Sequence, residues 1–143
     1  MMIMNAIISK ETATFLINIA FWIGAVTDGL AILPMLSRRV GAKLFGGDLS
    51  DNDFKYRYAM AIAASLMAGW TLLLLWGIGS PMERRGILLL TVFPVITGIV
   101  LAFVFAVKLR LVKISRVIPL WIHLGGVSIY YVAVYVLSIP FAQ

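Results

Sequence analysis

The sequence has no cysteine, a single histidine and few charged residues. Without cysteine the chain can form no disulfide scaffold, thiol redox centre or thiolate metal site. It also has no nucleophile motif, no glycine-rich phosphate loop and no internal repeat, so no catalytic motif indicates an enzyme. Charged residues make up 13% of the 143 residues, hydrophobic residues make up 62%, and the mean hydropathy is +1.03. Because soluble domains are roughly half apolar and a quarter charged, this composition predicts a membrane protein that crosses the bilayer several times.

Four apolar segments are long enough to cross a bilayer as helices. We therefore predict an all-α, integral membrane four-helix bundle with antiparallel neighbours, in which residues 1–143 form a single transmembrane domain. Thr12 or Thr14 is expected to cap the first helix. The predicted spans are 13–36, 58–78, 86–107 and 117–141.

The basic residues predict the orientation of the chain. Nine of the 12 Lys and Arg residues lie in the first and third connections, and three lie elsewhere. The positive-inside rule then places both termini on the non-cytoplasmic side. It also accounts for the net charge of +6 without nucleic acid as a partner. We expect a multi-pass protein of a prokaryotic cytoplasmic membrane.

Basic and apolar residues alternate in both connections that are predicted to be cytoplasmic. In the loop 37–57 this pattern predicts an amphipathic segment that lies at the membrane interface. Such basic residues could bind anionic lipid head groups, but a role in topology, with side chains that snorkel to the interface, is the better explanation of the pattern. The candidates for head-group binding are Arg38, Arg39, Lys108, Arg110, Lys113 and Arg116.

The loop 37–57 also contains three aspartates and a helix-start signal. Ser50, followed three residues later by Asp53, is a capping-box pattern and predicts a helix from about Asp51 into the second span. Together with Asp48, these acids could suggest calcium, but the central glycine and distal glutamate of a calcium loop are missing. We therefore interpret them as helix-start residues and predict no metal site.

Small residues are expected to mark helix contacts in the second and third spans. Ala64 and Ala68 recur on one face of the second span, and Gly98 and Ala102 on one face of the third. Such faces allow close helix packing in membranes, so we predict that they face protein rather than lipid. If they are exposed in a single chain, we expect them to mark an oligomer interface instead. Pro94 is expected to kink the third span.

Asp28 is the main candidate for a functional residue, because a carboxylate inside a membrane span is costly and usually has a role. It lies roughly 12 Å from the cytoplasmic end of its span, and His123 lies roughly 9 Å from the same boundary. We therefore predict that Asp28 and His123 make a direct or one-water hydrogen bond, with Asn18 and Tyr130 nearby. The alternative is that each is satisfied separately, for example by a backbone carbonyl, a neighbouring hydroxyl or water.

Three classes of function remain open. The first is a binding or assembly protein that holds a lipid or small apolar ligand, as a homodimer or as part of a larger membrane complex. The second is a proton-coupled small-molecule transporter that acts as a dimer through Asp28. The third is an intramembrane isomerase or hydrolase that uses Asp28 and His123, and it is the only enzyme among them. No cofactor is expected, because one histidine could provide bis-histidine ligation of haem only in a dimer.

The second class has a partial counterpart among known families. Four helices with one acid in the first helix are similar to the small multidrug resistance transporters. Residues 24–29 do not reproduce the glutamate motif of that family, and its members lack a first loop as long as 37–57. The acidic and aromatic pattern of sterol-isomerase-like proteins is not found either, so the sequence assigns no family.

Overall fold

The structure, a computed structural model, describes residues 9–45 and 54–141. Within these ranges the chain is helical and has no strand. The elements are α1 (Lys10–Leu36), α2 (Arg38–Phe45), α3 (Phe54–Ile78), α4 (Pro81–Arg84), α5 (Gly86–Leu90), a π-helix (Thr91–Ile96), α6 (Thr97–Lys108), α7 (Ile114–Ser138) and a short 3₁₀ turn (Ile139–Phe141).

Four helices are long and apolar enough to cross a membrane, which confirms the number expected from the sequence. The first and second are α1 and most of α3. The third runs through α4, α5, the π-helix and α6, and the fourth consists of α7 and the 3₁₀ turn. Their bounds are Lys10–Leu36, Arg57–Ile78, Pro81–Lys108 and Ile114–Phe141.

Helix α1 begins one turn earlier than its apolar run, because Ser9 is its N-cap. The Ser9 hydroxyl accepts a hydrogen bond from the backbone N–H of Thr12 at 3.2 Å. The predicted caps are therefore wrong: both threonines lie inside the helix, and Thr14 donates to the carbonyl of Lys10 at 2.9 Å. The capping residue lies one turn before Thr12, since a cap bonds to the N–H two or three residues further on.

The loop after α1 contains the predicted interfacial segment in helical form. Helix α2 follows Ser37 directly, and its Arg39, Val40 and Lys43 side chains are exposed. Residues 46–53 lie outside the described part of the chain. The predicted capping box of Ser50 and Asp53, and the aspartate cluster, therefore remain predictions.

The third long helix is interrupted at Pro94 by the π-helix Thr91–Ile96. Proline has no N–H and cannot continue the α-helical ladder, and one wider turn accommodates the missing hydrogen bond. The side-chain hydroxyl of Thr97 donates to the carbonyl of Val92, five residues back, at 3.0 Å. The side-chain hydroxyl of Thr91 donates to the carbonyl of Ile87, four residues back, at 2.9 Å. The expected irregularity at Pro94 is thus present, as a widened turn.

Polar hydrogen bonds join the long helices around a buried face of α1. This helix packs chiefly against α3 and also against α7. The indole of Trp70 in α3 donates to the Thr91 hydroxyl at 3.2 Å. From α7, the Tyr130 and Tyr131 hydroxyls donate to backbone carbonyls of α1, each at 3.0 Å. The largest fully buried side chains are Phe21, Ile17, Leu74, Leu88, Val117, Ser138 and Tyr131.

The small-residue faces differ between the second and third long helices. Ala64 is buried in α3 and Ala68 is half-buried, in line with the prediction. Gly98 and Ala102 in α6 are exposed in the single chain, and a Cβ added at Gly98 would meet no heavy atom within 4 Å. Within a single chain these two residues are therefore not a helix contact, and an oligomer interface at this position stays a prediction. The inward face of the third long helix instead carries the buried Thr91, Val92 and Ile96, because the π-helix changes the phase of the helix at that point.

Candidate functional site

A small cavity lies beside Asp28, between α1, the third long helix and α7. Its volume is about 30 Å³. Asp28 lies eight residues before the end of α1, or roughly 12 Å along the helix axis. Aliphatic side chains from α7 and the third long helix complete the wall. The polar residues that line the cavity are Thr27, Asp28, Thr91, His123 and Tyr131.

One carboxylate oxygen of Asp28 has no partner. Its Oδ2 atom is buried and takes part in no hydrogen bond. Most buried polar atoms in proteins are hydrogen-bonded, and an unpaired buried oxygen carries a desolvation penalty. The penalty is larger still for a charged group inside a membrane. Among the residues that line the cavity, Asp28 is therefore the one with a buried side-chain oxygen that has no hydrogen-bond partner.

Three hydroxyl groups line the same cavity, and each donates its proton to a backbone carbonyl. Thr27 donates to Ile23 at 2.7 Å, and Tyr131 donates to Ala20 at 3.0 Å. Thr91 donates to Ile87 and also accepts the indole N–H of Trp70. A hydroxyl has one proton and two lone pairs, so these three groups can offer the cavity only acceptor oxygens.

Tyr131 reaches α1 because residue 24 is glycine. A Cβ added at Gly24 would lie 2.5 Å from the Tyr131 hydroxyl oxygen and 3.0 Å from Cδ1 of Leu74. Both distances are shorter than ordinary van der Waals contacts. Glycine thus allows the tyrosine, which is fully buried, to approach the α1 backbone one turn before Asp28.

His123 lines the same cavity as Asp28, although no hydrogen bond or ion pair joins the two side chains in the described part of the chain. The histidine is exposed, whereas Asp28 is half-buried. The direct hydrogen bond predicted from the sequence is therefore not present. The one-water form stays a prediction, because a cavity of about 30 Å³ has room for a bridging water.

The other two predicted site residues, Asn18 and Tyr130, do not line the cavity. Tyr130 donates to the carbonyl of Leu16. The side-chain oxygen of Asn18 is buried without a partner at a separate position. The sequence predicts Tyr130 near Asp28, whereas Tyr131, on the adjacent face of α7, lines the cavity. That face had a signal, since Leu124, Val127 and Tyr131 recur every three or four residues.

The predicted head-group residues lie at the ends of the long helices and in the segments between them. All the described side chains among them are exposed, and that of Arg38 lies outside the described part of the chain. Arg110 adopts a positive φ of 57°, so the chain turns sharply between α6 and α7. The exposed members are Arg39, Lys108, Arg110, Lys113 and Arg116.

No known relative supplies a function for this chain. Comparison with protein-family models, with curated proteins and with solved structures found no match. The functional evidence is therefore the cavity and the residues that line it: Asp28 with its unpartnered buried oxygen, three hydroxyl-bearing residues and His123. They lie among helices long and apolar enough to cross a membrane.

Proposed function

We propose that this chain is a proton-coupled membrane protein in which Asp28 takes up and releases a proton at the cavity. The observation that carries the proposal is the buried Oδ2 atom of Asp28, which has no hydrogen-bond partner. A lone carboxylate in a membrane interior is accommodated best when a proton or another cation compensates its charge. Reversible protonation of Asp28 would give the protein two electrostatic states.

The size of the cavity favours water and protons over larger ligands. A buried water needs roughly 10–15 Å³, so about 30 Å³ holds one or two waters. Pockets for small organic ligands are typically about ten times larger. The cavity in this conformation therefore supports neither a bound lipid nor an intramembrane isomerase or hydrolase substrate. A transported solute would need a larger binding site than this cavity. Such a site could form in another conformation of the chain or between two copies of it.

Water in the cavity would connect the two protonatable side chains that line it. His123 is exposed at the surface of the chain, and Asp28 is the more buried of the two. The proposed proton path runs between the imidazole of His123 and the carboxyl group of Asp28, through one water in the cavity that both residues line. In this role the histidine relays the proton and the aspartate stores it.

The proposal is tested by infrared difference spectroscopy on the full chain in lipid nanodiscs. A pH step should produce the C=O band of a protonated carboxyl group in the wild type, and Asp28→Asn should remove it. Glu83→Gln is the matched control, because Glu83 is an exposed carboxylate in α4. If no band specific to Asp28 appears at any pH at which the protein stays folded, proton exchange at this residue is refuted.

We also propose the finer architecture: an integral membrane four-helix bundle with antiparallel neighbours and both termini on the non-cytoplasmic side of a prokaryotic cytoplasmic membrane. The support is the distribution of basic residues, nine in the first and third connections and three elsewhere. A C-terminal alkaline phosphatase fusion should be active, and a C-terminal fluorescent protein that folds only in the cytoplasm should be dark. The opposite pair of results would overturn this orientation.

Assembly into a homodimer or a larger membrane complex is a second proposal, favoured by the exposed small residues of the third long helix. Gly98 and Ala102 lie exposed on α6, and small residues allow two helices to approach closely.

With both termini on the non-cytoplasmic side, the exposed basic residues would face the cytoplasmic leaflet and bind anionic lipids. Native mass spectrometry would reveal the oligomer and any retained lipid, and Gly98→Leu should shift the protein to monomer. A monomeric wild type would contradict assembly.

A further inference from the structure

We propose that Arg84, held over the ring of Trp76, binds the phosphate group of an anionic phospholipid beside the end of α3. This site is separate from the cavity at Asp28 and from the basic residues of the first and third connections. Three features carry the inference. They are the donor atoms that Arg84 leaves free, the lack of a carboxylate partner in the described part of the chain, and the exposed strip of α3 that ends at Trp76.

Two contacts position the guanidinium group of Arg84. Its central carbon lies 3.6 Å from the centroid of the Trp76 ring, which is within the range of a cation–π contact. Its Nη1 atom donates to the backbone carbonyl of Trp76, in the last turn of α3. Because the side chain is already ordered by these contacts, a ligand that binds it loses little affinity to side-chain ordering.

The same contacts leave one edge of the Arg84 guanidinium free to bind a ligand. Among the described residues only its Nη1 atom makes a hydrogen bond, and neither Nε nor Nη2 is a buried atom without a partner. These two nitrogens are therefore accessible at the surface of the chain. Side by side, the Nε–H and Nη2–H groups form a fork that fits two oxygens of one phosphate group.

The positive charge at this position is not neutralised by the described part of the protein. Glu83 is exposed, and neither it nor another described carboxylate forms an ion pair with Arg84. Arg85 adds a second positive charge, but its Nε is buried without a partner and its Nη1 donates to the carbonyl of Met82 at 3.0 Å. Arg84 is therefore the residue that can bind an anion through two nitrogens, and Arg85 increases the positive potential beside it.

The surroundings of Arg84 favour a phospholipid over a free phosphate ion. Trp76, Leu72 and Gly69 are exposed and recur every three or four residues along α3, so they form one strip that leads from Arg84 toward the middle of the span. On a helix that crosses a membrane such a strip faces acyl chains, and a tryptophan at its end lies at the level of the head groups. One phospholipid can therefore place its phosphate at Arg84 and an acyl chain along the strip.

The test measures quenching of tryptophan fluorescence in the full chain, in a non-ionic detergent, by phospholipids with brominated acyl chains. The chain has four tryptophans, so each measurement is repeated with Trp76→Phe, and the difference reports lipid beside Trp76. We expect phosphatidylglycerol, which is anionic, to reach half-saturation at a several-fold lower concentration than phosphatidylcholine, which has no net charge. Inorganic phosphate should not displace it, because the free ion makes no contact with the apolar strip.

Two variants of Arg84 and one control separate lipid binding from a structural role. Arg84→Lys keeps the charge but loses the two-nitrogen fork, and Arg84→Gln loses the charge as well. The preference for phosphatidylglycerol over phosphatidylcholine should be weakened in Arg84→Lys and largely lost in Arg84→Gln. The matched control is Arg110→Lys, the same change at an exposed arginine between α6 and α7, and it should retain the preference.

Four outcomes would overturn the inference. The first is equal half-saturation by the two lipids in the wild type, and the second is an unchanged preference in Arg84→Gln. The third is an equal loss of preference in Arg84→Lys and Arg110→Lys, which would indicate a general effect of surface charge. The fourth is displacement of phosphatidylglycerol by inorganic phosphate, which would indicate a site for the free ion. If Arg84 only supports the fold around Trp76, its variants change the binding of both lipids equally, and the preference remains.

Discussion

Replacement of Gly24 by alanine tests whether the contact between α1 and Tyr131 is as tight as the structure indicates. The new Cβ would lie 2.5 Å from the Tyr131 hydroxyl oxygen and 3.0 Å from Cδ1 of Leu74. Overpacking of this kind costs about 1–3 kcal/mol. Displacing the tyrosine would also break its bond to the Ala20 carbonyl, and such bonds between membrane helices contribute about 0.6 kcal/mol on average. Alanine's helix preference returns about 1 kcal/mol, so we expect a net loss of roughly 0.6–2.6 kcal/mol.

The matched control is Gly69→Ala, the same change at an exposed helical glycine where a Cβ would meet nothing within 4 Å. It should be neutral or should stabilise the protein by up to about 1 kcal/mol. Reversible unfolding in detergent mixtures measures both variants. The double variant Gly24→Ala/Tyr131→Phe removes the clashing oxygen and should be nearly as stable as Tyr131→Phe alone. If Gly24→Ala and Gly69→Ala have the same stability, the close approach of Tyr131 to α1 is refuted.

Two further contacts between helices make similar predictions. A Cβ at Gly77 would lie 2.5 Å from the ring of the fully buried Phe21. Gly77→Ala should therefore lower the free energy of unfolding by about 1–3 kcal/mol. The added substitution Phe21→Leu should recover part of that stability in the same unfolding assay. Full tolerance of Gly77→Ala would contradict this contact. The Trp70–Thr91 hydrogen bond should give a coupling energy of about 0.6 kcal/mol in a double-mutant cycle with Trp70→Phe and Thr91→Val. If the stability losses of the two single variants simply add in the double variant, the bond is not made.

The sequence by itself determined the number of long helices and identified Asp28 as the candidate functional residue. Four apolar runs of spanning length leave few alternatives, because a backbone in lipid must satisfy its own hydrogen bonds and a helix does so within one segment. Asp28 stood out for the same local reason, as a carboxylate inside an apolar run. Pro94 likewise predicted an irregular turn, since the missing N–H is a property of the residue itself.

The partners of these residues were decided by tertiary structure alone. Tyr131, rather than Tyr130, lines the cavity, and the two differ by a rotation of about 100° on one helix. The contact surface of the third long helix depends on the π-helix, whose wider turn changes which later residues face inward. Whether an added Cβ at Gly24 or Gly98 meets a neighbour depends on how closely another helix approaches. Helical periodicity specifies which residues share a face, but the rotation and spacing of a helix against its neighbours come from the packing of all the side chains at the contact.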